Sequence, residues 1–153
     1  ISIDHLAIKD FPNFLVAMSQ EYANRVLPDY LPKGTRIAFR VWAVSQWAGD
    51  FNPIHIHDSN LSGVCFLKIP PKFDEEYAKE DHHPTAGCLE FIGSVPNHFA
   101  KHSFLAKPEV GDFYLFPSWL THQVYPFRSK GERRSMAFNV HFSSPESVKG
   151  LDV

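Results

Sequence analysis

A chain of 153 residues has the length of one ordinary domain, and with 44% hydrophobic residues it can bury a real core, which excludes disorder. Its net charge of −2 leaves no basic field large enough for nucleic acid, since the one cluster of cations is Arg128, Lys130, Arg133 and Arg134. No apolar run approaches the roughly 20 residues of a membrane helix, and no signal-peptide pattern heads the chain, which starts at Ile1 as a trimmed N-terminus would.

The first element in chain order is a helix over 11–27. Phe14, Met18, Tyr22 and Val26 recur at four-residue steps, Pro12 suits the first turn, and Pro28, Pro32 and Gly34 stop it. After that the character is extended. Strands are predicted at 36–47 and 61–69, with a turn at 49–53 and a short extended piece opening at His55. The charged, proline-bordered stretch 72–84 reads as a surface loop, 87–92 as a short strand, and 96–107 as loop or edge. Three further strands follow at 112–116, 121–125 and 133–142, with turns at Pro117–Ser118 and Ser129–Gly131. With 14 Phe and 12 Pro, many short strands behind one helix predict a single mainly-β domain over 1–153, a sandwich or barrel occupying about 36–142. Cys65 and Cys88 stand in separate strands and are expected to be reduced thiols, which suits the cytoplasm.

Among the 9 His, three stand out. His55-Ile56-His57 places two imidazoles on one face of an extended segment, close enough to chelate one ion. A lone His-x-His is also the pattern of a surface or turn-capping pair. His122 follows the apolar run Phe113 to Phe116 and the turn at Pro117, where it is either a core histidine or the third member of a strand-built facial metal site. His82 and His83 fall in the charged loop and are expected to be solvated.

The last strand divides by parity. Arg133, Ser135, Ala137, Asn139 and His141 share one face, and Arg134, Met136, Phe138, Val140 and Phe142 share the other. The first face either lines a wet cavity or meets solvent. Arg133 with Ser135 can grip a carboxylate, so a dicarboxylic cosubstrate that reaches the metal with its other end would explain a clamp placed there.

The blocks Asn52-Pro53-Ile54-His55-Ile56-His57, Leu61-Ser62-Gly63-Val64, Phe116-Pro117-Ser118-Trp119-Leu120-Thr121-His122 and Arg133-Arg134-Ser135-Met136-Ala137-Phe138-Asn139 resemble those of small 2-oxoglutarate and Fe(II)-dependent oxygenases, many from phages and marine bacteria. The likeness runs from about Trp42 to Phe142. It implies a double-stranded β-helix of the jelly-roll or cupin type with an N-terminal helix. It also implies Fe(II) held by His55, His57 and His122, 2-oxoglutarate held by Arg133 and Ser135, and hydroxylation of a small-molecule or peptide substrate.

Two departures stand against the family pattern. The usual His-x-Asp is His55-x-His57 here, so the ligand set is either three His or two His plus Asp58, which parity turns away unless a bulge brings it in. Cys65 and Phe66 stand where relatives often carry a Tyr. The spacing of Gly49, His55, His57, Gly111, Pro117 and His122 also resembles the cupin motifs, without the cupin glutamate. The alternatives are therefore a cupin-like three-His enzyme that does not use 2-oxoglutarate, and a non-catalytic binding domain.

Overall fold

The computed structural model describes residues 10–26, 31–79, 84–93 and 101–144. Helix α1 (Phe11–Val26) is followed by β1 (Arg36–Gln46), β2 (Asn52–His55), β3 (Leu61–Lys68), a short α2 (Phe73–Tyr77), β4 (Leu89–Ile92), β5 (Ser103–Ala106), β6 (Phe113–Pro117), β7 (Thr121–Val124) and β8 (Arg133–Ser143). The strands form two four-stranded antiparallel sheets, ordered β1-β8-β3-β6 and β2-β7-β4-β5. The chain passes repeatedly from one sheet to the other, which is the winding of a double-stranded β-helix.

Three apolar clusters hold these layers. Phe66 and Phe116 of the first sheet meet Leu89, Phe91, Ala106 and Val124 of the second, closing the space between the sheets. On the outer side of the first sheet, Leu61, Phe138 and Val140 receive Leu15 of α1, flanked by Phe11, Phe14 and Tyr22. Each such side chain contributes roughly 1.5–3 kcal/mol when fully buried. The buried stripe of α1 is Leu15, Ser19 and Ala23, one residue round from the predicted Phe14–Met18–Tyr22–Val26 row, and Val26 is exposed. Leu15 packs at the centre of this contact, with Phe11, Phe14 and Tyr22 along its margins.

The greasy face of β8 is thus buried under α1, while its other face looks between the sheets. Gly63 in the central strand β3 is fixed by the same packing: a Cβ there would run into the Phe138 ring and come 2.7 Å from the Tyr114 carbonyl oxygen.

Two expectations are corrected and one open alternative is decided. The stretch 72–84 holds α2, because Phe73 is drawn into a third cluster with Ala86 and Phe127. Of the two readings of 96–107, loop or edge, residues 103–106 take the second: they form the edge strand β5, paired with β4 from Leu89↔Ala106 to Ile92↔Ser103. His55 closes β2 rather than opening an extended piece, with the turn ahead of it confined to Ala48 and Gly49. His82 and His83, like His5 and His98, lie outside the described residues.

Candidate metal centre

Strand pairing brings the histidines together. β2 and β7 are antiparallel neighbours with His55 opposite His122, and the ladder slips by a bulge between Asn52 and His55. Beyond β2 the His57 amide donates to the Ser118 carbonyl (3.0 Å) and burial alternates along the chain, with Ile56 exposed and His55 and His57 half-buried on either side of it. The ring centroids lie 4.2 Å (His55–His122), 5.0 Å (His55–His57) and 5.1 Å (His57–His122) apart. One nitrogen from each ring falls within 4.8 Å of the other two, a spacing at which three imidazoles can share one ion.

Second contacts fix how the rings present themselves. Nδ1 of His55 donates to the Pro53 carbonyl (2.7 Å) and Nδ1 of His122 to the Leu120 carbonyl (2.8 Å). A neutral imidazole that donates from Nδ1 keeps its lone pair on Nε2, the form a metal requires. The electrostatics agree. Burial, helped by His55 and His57, pushes His122 down to about 4, and burial together with His55 lowers His57. Both shifts favour the uncharged ring, the form that can donate a lone pair.

A hydroxyl network that the residue pattern did not disclose anchors the turn between β6 and β7. Ser118 Oγ lies 2.7 Å from Ser62 Oγ, which donates to Asn139 Oδ1 (2.9 Å), and the Ser118 amide donates to the Asn60 carbonyl (3.2 Å). The carbonyl that holds His57 therefore belongs to a buried, doubly tethered residue.

Asp58 is exposed and stands outside the cluster. The bulge that would have turned it inward lies upstream, between Asn52 and His55. The rings of His102 and His141 take no part in the group either.

The rings open onto a cavity of about 140 Å³ between the sheets. Trp42, Val44, Leu89, Phe116 and Val124 give it apolar walls, and Arg133, Ser135 and Ala137 of β8 line it opposite the histidines. Only the first half of the predicted polar face of β8 reaches this space. Asn139 is engaged by Ser62, and His141 is exposed.

Arg133 is 2% exposed, and among the described residues no carboxylate pairs with it. Its Nη1 donates to Gln46 Oε1, its guanidinium carbon lies 4.9 Å from the Phe66 ring centroid, and its buried Nε has no partner. Phe66, which offers no phenol, thus supplies a π-face beneath the cation. Burial lowers the Arg133 pKa to about 10, which leaves it charged at neutral pH. A buried cation without a counter-ion is held at a cost unless an anion arrives. Three clustered imidazoles and one uncompensated guanidinium around one cavity suit a metal cation together with a carboxylate-bearing ligand.

The family described as "Putative 2OG-Fe(II) oxygenase" matches this chain over residues 40–139. Among solved structures, a prolyl-4-hydroxylase from Pseudomonas putida is similar at 21% identity with a TM-score of 0.52, covering 86% of this chain and 65% of its own. An oxidoreductase of the 2OG-Fe(II) oxygenase family from Burkholderia pseudomallei is similar at 15% identity with a TM-score of 0.53, covering 85% of this chain and 56% of its own. The chain therefore spans less than two thirds of the length of either protein, and the likeness is one of fold. No curated protein matches the chain.

Proposed function

The chain belongs to the 2OG-Fe(II) oxygenase family, and on that premise we propose that it is itself an oxygenase that uses Fe(II) and 2-oxoglutarate to hydroxylate its substrate. The observation that carries this reading is Arg133, a buried guanidinium that no carboxylate pairs with among the described residues, facing the same cavity as three clustered imidazoles. When bound, iron supplies the chemistry that couples loss of carbon dioxide from 2-oxoglutarate to oxygen insertion into a C–H bond.

The chain's own residues account for the rest. His55, His57 and His122 would hold the metal from the side of β2 and β7, with their Nδ1 protons engaged by Pro53 and Leu120 in two of the three rings. Arg133 receives the far carboxylate through the N–H groups that Gln46 does not occupy, and Ser135, two residues on in β8, offers a hydroxyl on the same side. Val44, Leu89 and Val124 keep bulk water from this ion pair, which strengthens it. Asp58, being exposed, is left out of the ligand set.

The test is conversion of 2-oxoglutarate to succinate by the Fe(II)-loaded protein, with binding followed in parallel. Arg133→Ala should abolish cosubstrate binding and leave the metal in place, and a variant that binds 2-oxoglutarate as the parent does refutes the clamp. The all-histidine cluster favours one second reading, a three-His enzyme that does not use 2-oxoglutarate, in which case the metal-loaded parent neither binds 2-oxoglutarate nor converts it to succinate. A cytoplasmic setting is also proposed, supported by two buried cysteines that form no disulfide. Among the described residues no helix is long and apolar enough to cross a membrane.

A further inference from the structure

The guanidinium of Arg133 is not held by a carboxylate but by an amide, and that amide is itself held. Gln46 ends β1 directly opposite Arg133 in the β1–β8 ladder. It has the same parity as Trp42 and Val44, so its side chain turns inward, where it is 4% exposed. Its Oε1 accepts from Arg133 Nη1, while its Nε2 donates to Asn52 Oδ1 at 3.4 Å. Asn52 lines the cavity from β2, three residues ahead of His55. A chain of three polar side chains thus runs from the guanidinium to the strand that carries His55.

The chemistry of this chain differs from that of an ion pair. An amide oxygen orients a guanidinium without neutralising it, so the full positive charge stays available to a ligand. A glutamate at position 46 would be almost the same size and would form a charge-assisted pair with Arg133 before any ligand came. The incoming carboxylate would then meet a neutralised arginine with a second carboxylate beside it, in a cavity where such charges are poorly screened. The orientation of the amide matters too. With Nε2 engaged by Asn52, it is Oε1 that faces Arg133, and the guanidinium is turned so that Nε remains unpartnered.

From this geometry we infer that Gln46 is a positioning residue for carboxylate binding, oriented by Asn52, and that its neutrality keeps Arg133 competent to bind the carboxylate of a small dicarboxylic acid. The inference rests on the proposed oxygenase reading of the same cavity and goes beyond it, because it assigns the selectivity of the clamp to a residue outside it.

The probe is 2-oxoglutarate, titrated calorimetrically into the Fe(II)-loaded protein without oxygen, with thermal unfolding of the metal-free protein measured alongside. Gln46→Glu should weaken binding by on the order of 30-fold or more while the unfolding temperature stays the same or rises, since a buried cation gains a counter-ion. A merely structural role would lower both together. Gln46→Met keeps the volume and removes the acceptor, and should weaken binding roughly tenfold, so the inference remains testable if the glutamate variant fails to fold. Parent-like affinity in a folded Gln46→Glu or Gln46→Met variant, with Arg133→Ala still defective, overturns the inference and leaves the oxygenase reading standing. A parent protein that does not bind 2-oxoglutarate at all overturns that reading, and the inference with it.

Discussion

Replacing Arg133 by Met separates function from stability, because cosubstrate binding should be lost while stability stays nearly unchanged. The fall of the Arg133 pKa from its ordinary value to about 10 corresponds, at 1.36 kcal/mol per pH unit, to roughly 3 kcal/mol held against the folded state at neutral pH. For a base with a lowered pKa the sign is unfavourable below the folded value, and the penalty is relieved only as pH rises from about 10 toward the ordinary arginine value. Met has a similar length and no charge, so it removes the penalty. Against that gain, Gln46 Oε1 loses its donor, which costs about 1–2 kcal/mol, and the contact over Phe66 is lost, which costs about 1 kcal/mol. The sum lies within about 1 kcal/mol of zero. Urea unfolding of the metal-free parent and variant reads it directly as a midpoint shift at constant slope. Added 2-oxoglutarate should raise the unfolding temperature of the metal-loaded parent and not that of the variant, since a ligand stabilises only the state that binds it. A loss above about 3 kcal/mol in the variant would show a structural arginine, as for a partner removed from a buried ion pair.

Three further outcomes are expected. His122→Ala should lower Fe(II) affinity at least about 100-fold, measured by metal content after dialysis, while Asp58→Ala retains parent affinity; loss in the Asp58 variant would restore the carboxylate to the ligand set. Glu76 accepts from the Arg128 and Ser129 amides (2.6 Å each) and from the Ser129 hydroxyl (2.5 Å). Burial would raise its pKa, but the Ser129 hydroxyl and the two amides outweigh burial and lower it. Glu76→Ala should therefore cost about 1–2 kcal/mol at pH 7 in urea unfolding, and the difference from the parent should shrink as pH falls below the ordinary carboxylate range, where the parent's Glu76 also becomes protonated. Gly63→Ala drives a Cβ against Phe138 and the Tyr114 carbonyl in a strand paired on both sides, and should cost about 3 kcal/mol by the same measurement; a loss under about 1 kcal/mol would mean that Phe138 yields freely.

The sequence makes the strand content legible because most strands run between clear turn signals, and it makes the three histidines legible because strand parity is a local rule. It says much less about what lies opposite what. Gln46 and Asn52 matter through cross-strand neighbours: one residue faces Arg133 across 87 positions of chain, and the other is reached through the first. The one sequence signal was a polar residue on the inward parity of β1, after Trp42 and Val44. The hydroxyl network around Ser118 is hidden for the same reason, since serines beside a turn ordinarily meet water. Helix α2 escaped because charge dominates Phe73–Tyr77, and only tertiary contact reveals that Phe73 is buried against Phe127. The polar face of β8 was legible by period but not by extent, because its division at Asn139 depends on Ser62 from another strand.

The exchange of the family's usual aspartate for His57 has an electrostatic consequence that ties these observations together. On the proposed reading, a carboxylate ligand would bring a negative charge to the metal, whereas three imidazoles bring none. With a divalent cation bound, the cavity would carry positive charge at both ends, the metal at one and the uncompensated guanidinium at the other, and among the described residues no acidic side chain lines it. A dianion that bridges the two ends offsets both charges at once, whereas a monoanion leaves one end exposed. Discrimination between 2-oxoglutarate and a monocarboxylic 2-oxo acid should accordingly be strong in the parent, and it should fall in Gln46→Glu, where the far end is already neutralised. Equal affinity for the two acids in the parent would show that the guanidinium takes no part in recognition, whatever the histidines hold.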